Sequence, residues 1–428
     1  MTSKAAENGV RSLPGEGIIR LFDGWLDAKG PVALRLRQRL LPVEADEDGH
    51  GVIFPPTYPG IGYNIDTLAD GTRVATIDTV GSQANRLEPI FKSTGRDEKG
   101  EELNPLANLV PQIEILLRRR TAVKKGRGKE AELGGGSRED LVEKRSILEL
   151  AHRSADAVVL ASPTLAGEVA NAFAILRSQG NAAPLCALAP TSLVFGVWDS
   201  RGGSGEKRPR LVRSIIRAWD VEILHSAAQF NSVWKALSEE EKQELEKEAR
   251  AKKVRLSEKG LADASAIFRK TRTQEYRDGV PDPDARVLGG VLARGPIERD
   301  VTVNLVALRG LRGGGAEESR QVQQYLASLA LLAATADLEL FLREGCLLRY
   351  AGNDVWSAVP RRGDPTIVSL PEQGQLVSYA TRAAEPFKEK WPKDGDGRPL
   401  ALEHEFNLSE AKKLLARRDE DVSAGEQG

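Results

Sequence analysis

Cysteine is almost absent from the 428 residues: Cys186 and Cys346 stand far apart and outside any CxxC spacing, which excludes a disulfide framework and a zinc ribbon. No run approaches the roughly 18 to 20 uncharged apolar residues that span a bilayer, and the opening MTSKAAENGVRSLPGEG lacks the apolar core of a secretion signal. Net charge is also missing, with 61 Lys and Arg against 62 Asp and Glu, and aromatics make up only 5% of the chain. These absences lead to the expectation of a cytoplasmic globular protein without membrane contact, its cysteines small core residues.

Signatures of catalysis are lacking too. The stretch RGGSGEKR (201–208) has Glu206 where a phosphate-binding loop needs its lysine after glycine, and the same Glu206 breaks the G-x-S-x-G spacing of a nucleophile elbow. His50, His152, His225 and His404 are dispersed, without HExxH or paired-ligand spacing. The sequence therefore predicts no metal, no cofactor and no catalytic residue.

What is present is segregated charge. Residues 118–129, RRRTAVKKGRGK, carry seven Lys or Arg and no acid, and 201–217 carry six basic groups against Glu206 alone. Acid collects in 238–253 and in the tail. A neutral chain with local basic patches suits a protein that grips a polyanion on one side. Residues 31–41, PVALRLRQRLL, alternate strictly, so Arg35, Arg37 and Arg39 share one face of a strand. That face is either a phosphate track or the charge-protected surface of an edge strand.

Further strands are expected at 72–80, 192–198, 211–219, 286–293 and 300–308. Helices are expected at 82–93, 139–152, 163–178, 229–253, 257–270, 316–344 and 372–391, from apolar spacing of three and four. Irregular alternation of the two favours an α+β sheet with large helical insertions. The stretch 119–138 reads as a mobile basic, glycine-rich loop and 395–428 as a polar, flexible tail.

Two motifs carry function. In IDTVGSQANRLEPIF (77–91) a strand ends at Gly81 and a helix begins, with Ser82 as its N-cap and Gln83, Asn85 and Arg86 in or near the first turn. Donors gathered at a helix start suit phosphate or ribose oxygens, and a capped, solvated helix has the same spacing. In FGVWDSRGGSGEKRPRLVRS (195–214) a strand breaks into glycines and leaves them loaded with positive charge. Its strand setting predicts a buried Trp198.

Together, DTVGSQANR and FGVWDSRGGSGEKRPRLVRS resemble the backbone subunit of type I-G (formerly I-U) CRISPR interference complexes, the Cas-seven group of the RAMP proteins. The resemblance spans about residues 20–390. It implies one elaborated RRM/ferredoxin-like palm with finger and thumb elements inserted near 95–185 and 225–285. It also implies partners: CRISPR RNA, target DNA, further copies of the chain in a head-to-tail filament, an RNA-processing subunit and a recruited helicase-nuclease. Guide RNA contacts are expected from Ser82, Gln83, Asn85, Arg86, Ser200, Arg201, Gly202, Gly203, Lys207, Arg208, Arg210 and Arg213, with Arg35, Arg37 and Arg39 beside them. Lys124, Lys125, Arg127 and Lys129 would form a target-DNA clamp. An RNA-cleaving RAMP nuclease and a CRISPR-independent single-strand binder remain the alternatives.

Overall fold

The computed structural model describes residues 15–58, 61–119, 141–198, 207–225, 233–254, 256–259, 261, 276–277, 280–281, 288–352, 354–391, 393 and 401–414. The fold is mixed α+β. Its centre is a nine-stranded sheet built from β1 (Ala33–Pro42), β2 (Ile65–Thr67), β3 (Arg73–Asp78), β4 (Val212–Trp219), β5 (Ile297–Asn304), β6 (Phe341–Arg343), β7 (Cys346–Tyr350), β8 (Val355–Val359) and β9 (Thr366–Val368). The order across it is β6-β7-β1-β5-β4-β3-β2, with β8 beside the first half of β1 and β9 outside β8. Every pair in it is antiparallel.

Alternation sets the two faces of this sheet. Leu34, Leu36 and Leu40 of β1, Val212 and Ile216 of β4, and Val301 and Val303 of β5 are buried on one face. Helices α1 (Gly15–Leu26), α2 (Val80–Leu87), α3 (Pro163–Gln179), α4 (Ala316–Thr335) and α5 (Gln373–Lys388) supply the large apolar cluster on that side. A smaller cluster lies toward the far ends of the same strands, around Leu40, Ile77, Ile216, Ile297 and Leu348. Between the two clusters the same inward positions are polar, Gln38, Ser214 and Arg299.

Several expected elements differ. Residues 141–146 form a strand paired with Ile113–Arg119 instead of a helix, because DLVEKRS fits both periods and the neighbouring strand supplies the ladder. The strand expected at 300–308 spans 297–304 and stops where Asn304 Oδ1 accepts from Ala307 N at 2.9 Å and caps a short helix, Leu305–Arg309. The expected strand at 192–198 begins as the helix Pro190–Val194. The long helix ends at Thr335, and the following DLELFLREGCLLRY alternates into β6 and β7, which turn at Gly345 with φ +71°, where a Cβ would strike the Phe54 ring. Within the expected tail, Leu402–Glu405 pairs in parallel with 113–116 and 408–414 are helical. The expected helix at 257–270 lies mostly outside the described residues.

Candidate nucleic-acid interface

The outward face of the sheet is an arginine field. Arg35, Arg37 and Arg39 do share one face of β1, yet β1 is central, with β5 on one side and β7 and β8 on the other. The edge-strand reading of those arginines therefore does not hold. Register places Arg213 opposite Thr302 and Arg217 opposite Glu298, so β4 adds a second column, and Arg349 on β7 stands across from Leu41. Sequence reasoning passed over Arg217 and Arg349, because adjacent apolar pairs in VRSIIRAW and CLLRY blur the alternation that the pairing register reveals.

Two carboxylates sit inside this field. Asp300 Oδ1 lies 2.7 Å from Arg35 and 3.5 Å from Arg37, and Glu298 lies 3.8 Å from Arg37. Arg39, Arg213, Arg217 and Arg349 have no ion pair among the described residues.

The second motif forms a hairpin that runs directly into β4. Val197–Trp198 pairs with Lys207–Arg208, Trp198 opposite Lys207. Val197 points inward, so alternation turns Trp198 outward, and it is 60% exposed instead of buried. Among the described residues no second layer covers the outer side of this two-residue strand. Lys207 Nζ stands over the indole 5.7 Å from the ring centroid. An exposed indole flanked by a cation has the geometry on which a nucleobase can stack. Trp198→Ala should weaken binding of single-stranded RNA by about 1–3 kcal/mol in a fluorescence-anisotropy titration while leaving the melting midpoint unchanged. A shifted midpoint with unaltered affinity would make the residue structural.

The hairpin's base is fixed. Gly196 has φ +80°, and a Cβ there would lie 2.8 Å from Arg210 Cγ and 3.1 Å from the Arg208 carbonyl. Below it Arg153 Nε meets Glu88 at 2.5 Å, both fully buried, and Arg153 also lies over the Phe195 ring. Burial pushes the Glu88 carboxyl up to about 7, against the opposing pull of Arg153 and a hydrogen bond with Thr191. Partial burial, with the Arg153 charge added, holds the Arg210 guanidinium below its ordinary value. Because the folded state favours protonated Glu88, its contribution is complete below the ordinary carboxyl value of 4.5 and declines as pH rises through about 7. The melting midpoint of Glu88→Gln should gain on the wild type between pH 5 and pH 8. A difference that stays flat over that range would place the ionised pair in the folded state throughout.

The first motif lies on the other side of the sheet. The N-cap of α2 is Thr79, whose Oγ1 accepts from Ser82 N at 3.2 Å, so Ser82 sits inside the first turn and is not the cap. Gln83 is fully buried: its amide nitrogen donates to Asp78 Oδ2 at 2.6 Å, and its oxygen accepts from Ser214 Oγ at 2.7 Å and from Arg299 Nε at 3.3 Å. It is no surface donor for RNA. Arg86 donates to Asp78 Oδ2 at 3.1 Å and to the Leu342 carbonyl at 2.7 Å. Arg343 approaches the other Asp78 oxygen at 3.5 Å. Among the four expected contacts here, Asn85 is exposed and Ser82 half-buried.

The structure thus brings Lys207, Arg208, Arg210 and Arg213 into sequence continuity with the arginine field and leaves Ser82–Arg86 behind the sheet. Ser200, Arg201, Gly202 and Gly203, and Lys124, Lys125, Arg127 and Lys129, lie outside the described residues. The second group falls between the paired strands Ile113–Arg119 and Leu141–Ser146.

Comparison with known proteins adds a family. A model of the family described as CRISPR-associated protein GSU0053 matches residues 34–223, somewhat under half of the chain. That segment, which holds both motifs and the arginines of β1 and β4, is similar to the CRISPR-associated GSU0053 family. No curated protein matches the chain. One chain of a solved "CRISPR RNA-guided surveillance complex, pre-nicking" is similar over 90% of this chain and 99% of its own length, at 11% identity and a TM-score of 0.29, which is too low a likeness to carry an argument.

Proposed function

We propose that the protein is a guide-RNA-binding backbone subunit of a type I-G CRISPR surveillance complex. Copies would line up head to tail on the guide and present its spacer for pairing with target DNA, beside an RNA-processing subunit and a helicase-nuclease. In such a complex base pairing reads sequence and the protein holds backbone and shape. The carrying observation is the outward arginine field, running on into a hairpin with an exposed indole, within the segment that matches a CRISPR-associated family. Arginines suit phosphates without regard to sequence, and the indole suits any base.

Strand order supports an RRM-like palm. Taken in chain order, β1, β4, β5 and β7 stand as β7-β1-β5-β4, all antiparallel, with α2 between the first two and α4 between the last two. That order supports the βαββαβ reading, with β2 and β3 added at one edge and β6, β8 and β9 on the other side.

The test is coexpression of the chain with its partners and a CRISPR array, followed by sizing of the nucleic acid that copurifies. RNA of one discrete length supports the reading, and a complex with the absorbance ratio of bare protein contradicts it. The same complex bears on catalysis, for which the sequence carries no motif. Incubated with labelled complementary RNA and Mg²⁺ or Mn²⁺ without the helicase-nuclease, it should leave the RNA intact. Cuts at regular intervals would make the chain a nuclease.

A further inference from the structure

The carboxylates on the arginine face need a reason. A surface shaped only to hold phosphates gains nothing from Glu298 and Asp300, both pointing to the same side as the arginines and both less than one-fifth exposed. They are not spread evenly. Both stand on β5, between the two arginine columns, and both engage β1: Asp300 holds Arg35 and Arg37, and Glu298 holds Arg37. The centre of the face is therefore close to neutral in the free protein, and the unpaired positive charge stands around it, at Arg39, Arg213, Arg217 and Arg349.

We propose that Glu298 and Asp300 are selectivity residues of this face, holding Arg35 and Arg37 in reserve so that unrelated polyanions are refused. The inference rests on the reading of the face as a nucleic-acid surface. A strand first gripped at the rim by Arg39, Arg213, Arg217 and Arg349 brings its phosphates over the centre, where they exchange with the carboxylates for Arg35 and Arg37. Exchange is cheap because Arg35 and Arg37 are 43% and 53% exposed, and exposed pairs contribute little to stability. A polyanion without that rim contact meets a centre whose positive charge is already neutralised by the two carboxylates, and the missing attraction lowers both its association rate and its affinity.

The experiment uses the full chain and fluorescence anisotropy with an unrelated 30-base-pair DNA duplex and a single-stranded RNA of equal length, over a series of salt concentrations. Glu298→Gln with Asp300→Asn should tighten duplex binding roughly fivefold to tenfold for each released arginine in 0.1 M salt, and steepen the salt dependence by about 0.9 per added contact. The ratio of RNA to duplex affinity should fall. Unchanged or weaker duplex binding, with an unaltered melting midpoint, would overturn the proposal and make the carboxylates positioners of the arginines. Asp300→Asn alone, which frees Arg35, gives the same reading if the double variant melts early. A separate arm, Arg213→Gln with Arg217→Gln, tests the underlying reading: if RNA binding is indifferent to it, the face is not a nucleic-acid surface. If it weakens RNA binding while the carboxylate variant changes nothing, only the selectivity role fails.

Discussion

Replacing Arg39, Arg213 and Arg217 together with glutamine is expected to strip the guide RNA from the coexpressed protein. These three are among the outward arginines of β1 and β4 that no carboxylate of the described residues neutralises, so they are the groups best able to exchange counterions for phosphates. Each lost phosphate contact should lower the salt dependence of single-strand binding by about 0.7, and three together should lower affinity by roughly two orders of magnitude at 0.1 M salt. The side chains are outward, so the melting midpoint should hold. RNA retained at the wild-type level would place the guide elsewhere on the protein.

The second large effect is on folding. Asp78 is buried and collects Gln83, Arg86 and Arg343, and through Gln83 it is linked to Ser214 and to the buried guanidinium of Arg299. Arg299 in turn donates to Gln38 Oε1 at 2.6 Å. No carboxylate of the described residues touches Arg299, so its charge is balanced at one remove, through Gln83 to Asp78 and through Gln38 to Asp354. Asp78→Ala leaves the Arg86 guanidinium and the Gln83 amide without their carboxylate acceptor and removes the negative charge facing Arg343, and should cost about 3 kcal/mol, read by urea denaturation. Loss of RNA binding with full stability retained would return the SQANR stretch to the role of RNA contact.

The strand with strict alternation was legible from sequence, because PVALRLRQRLL has a period that only a half-buried strand satisfies. So were α3 and α5, whose apolar stripes are long and uninterrupted. The β6–β7 hairpin was hidden because apolar residues run from the end of α4 into it and periodicity alone does not mark the break at Ala336. At the site, the arginine face was visible and its neighbourhood was not: that β1 is central, and that β5 brings carboxylates to it, depends on pairings more than 250 residues apart in the chain. The SQANR stretch reads two ways for a physical reason. Amide and guanidinium groups at a helix start satisfy a buried carboxylate as readily as a phosphate, and Asp78, a few residues upstream, was the nearer anion.

The most direct measurement is ultraviolet cross-linking of the coexpressed protein to its RNA, with the attachment sites read by mass spectrometry. Cross-links should fall on Trp198 and on peptides covering 33–42 and 207–219. Cross-links confined to 80–91, or their absence from both the hairpin and the sheet face, would contradict the account.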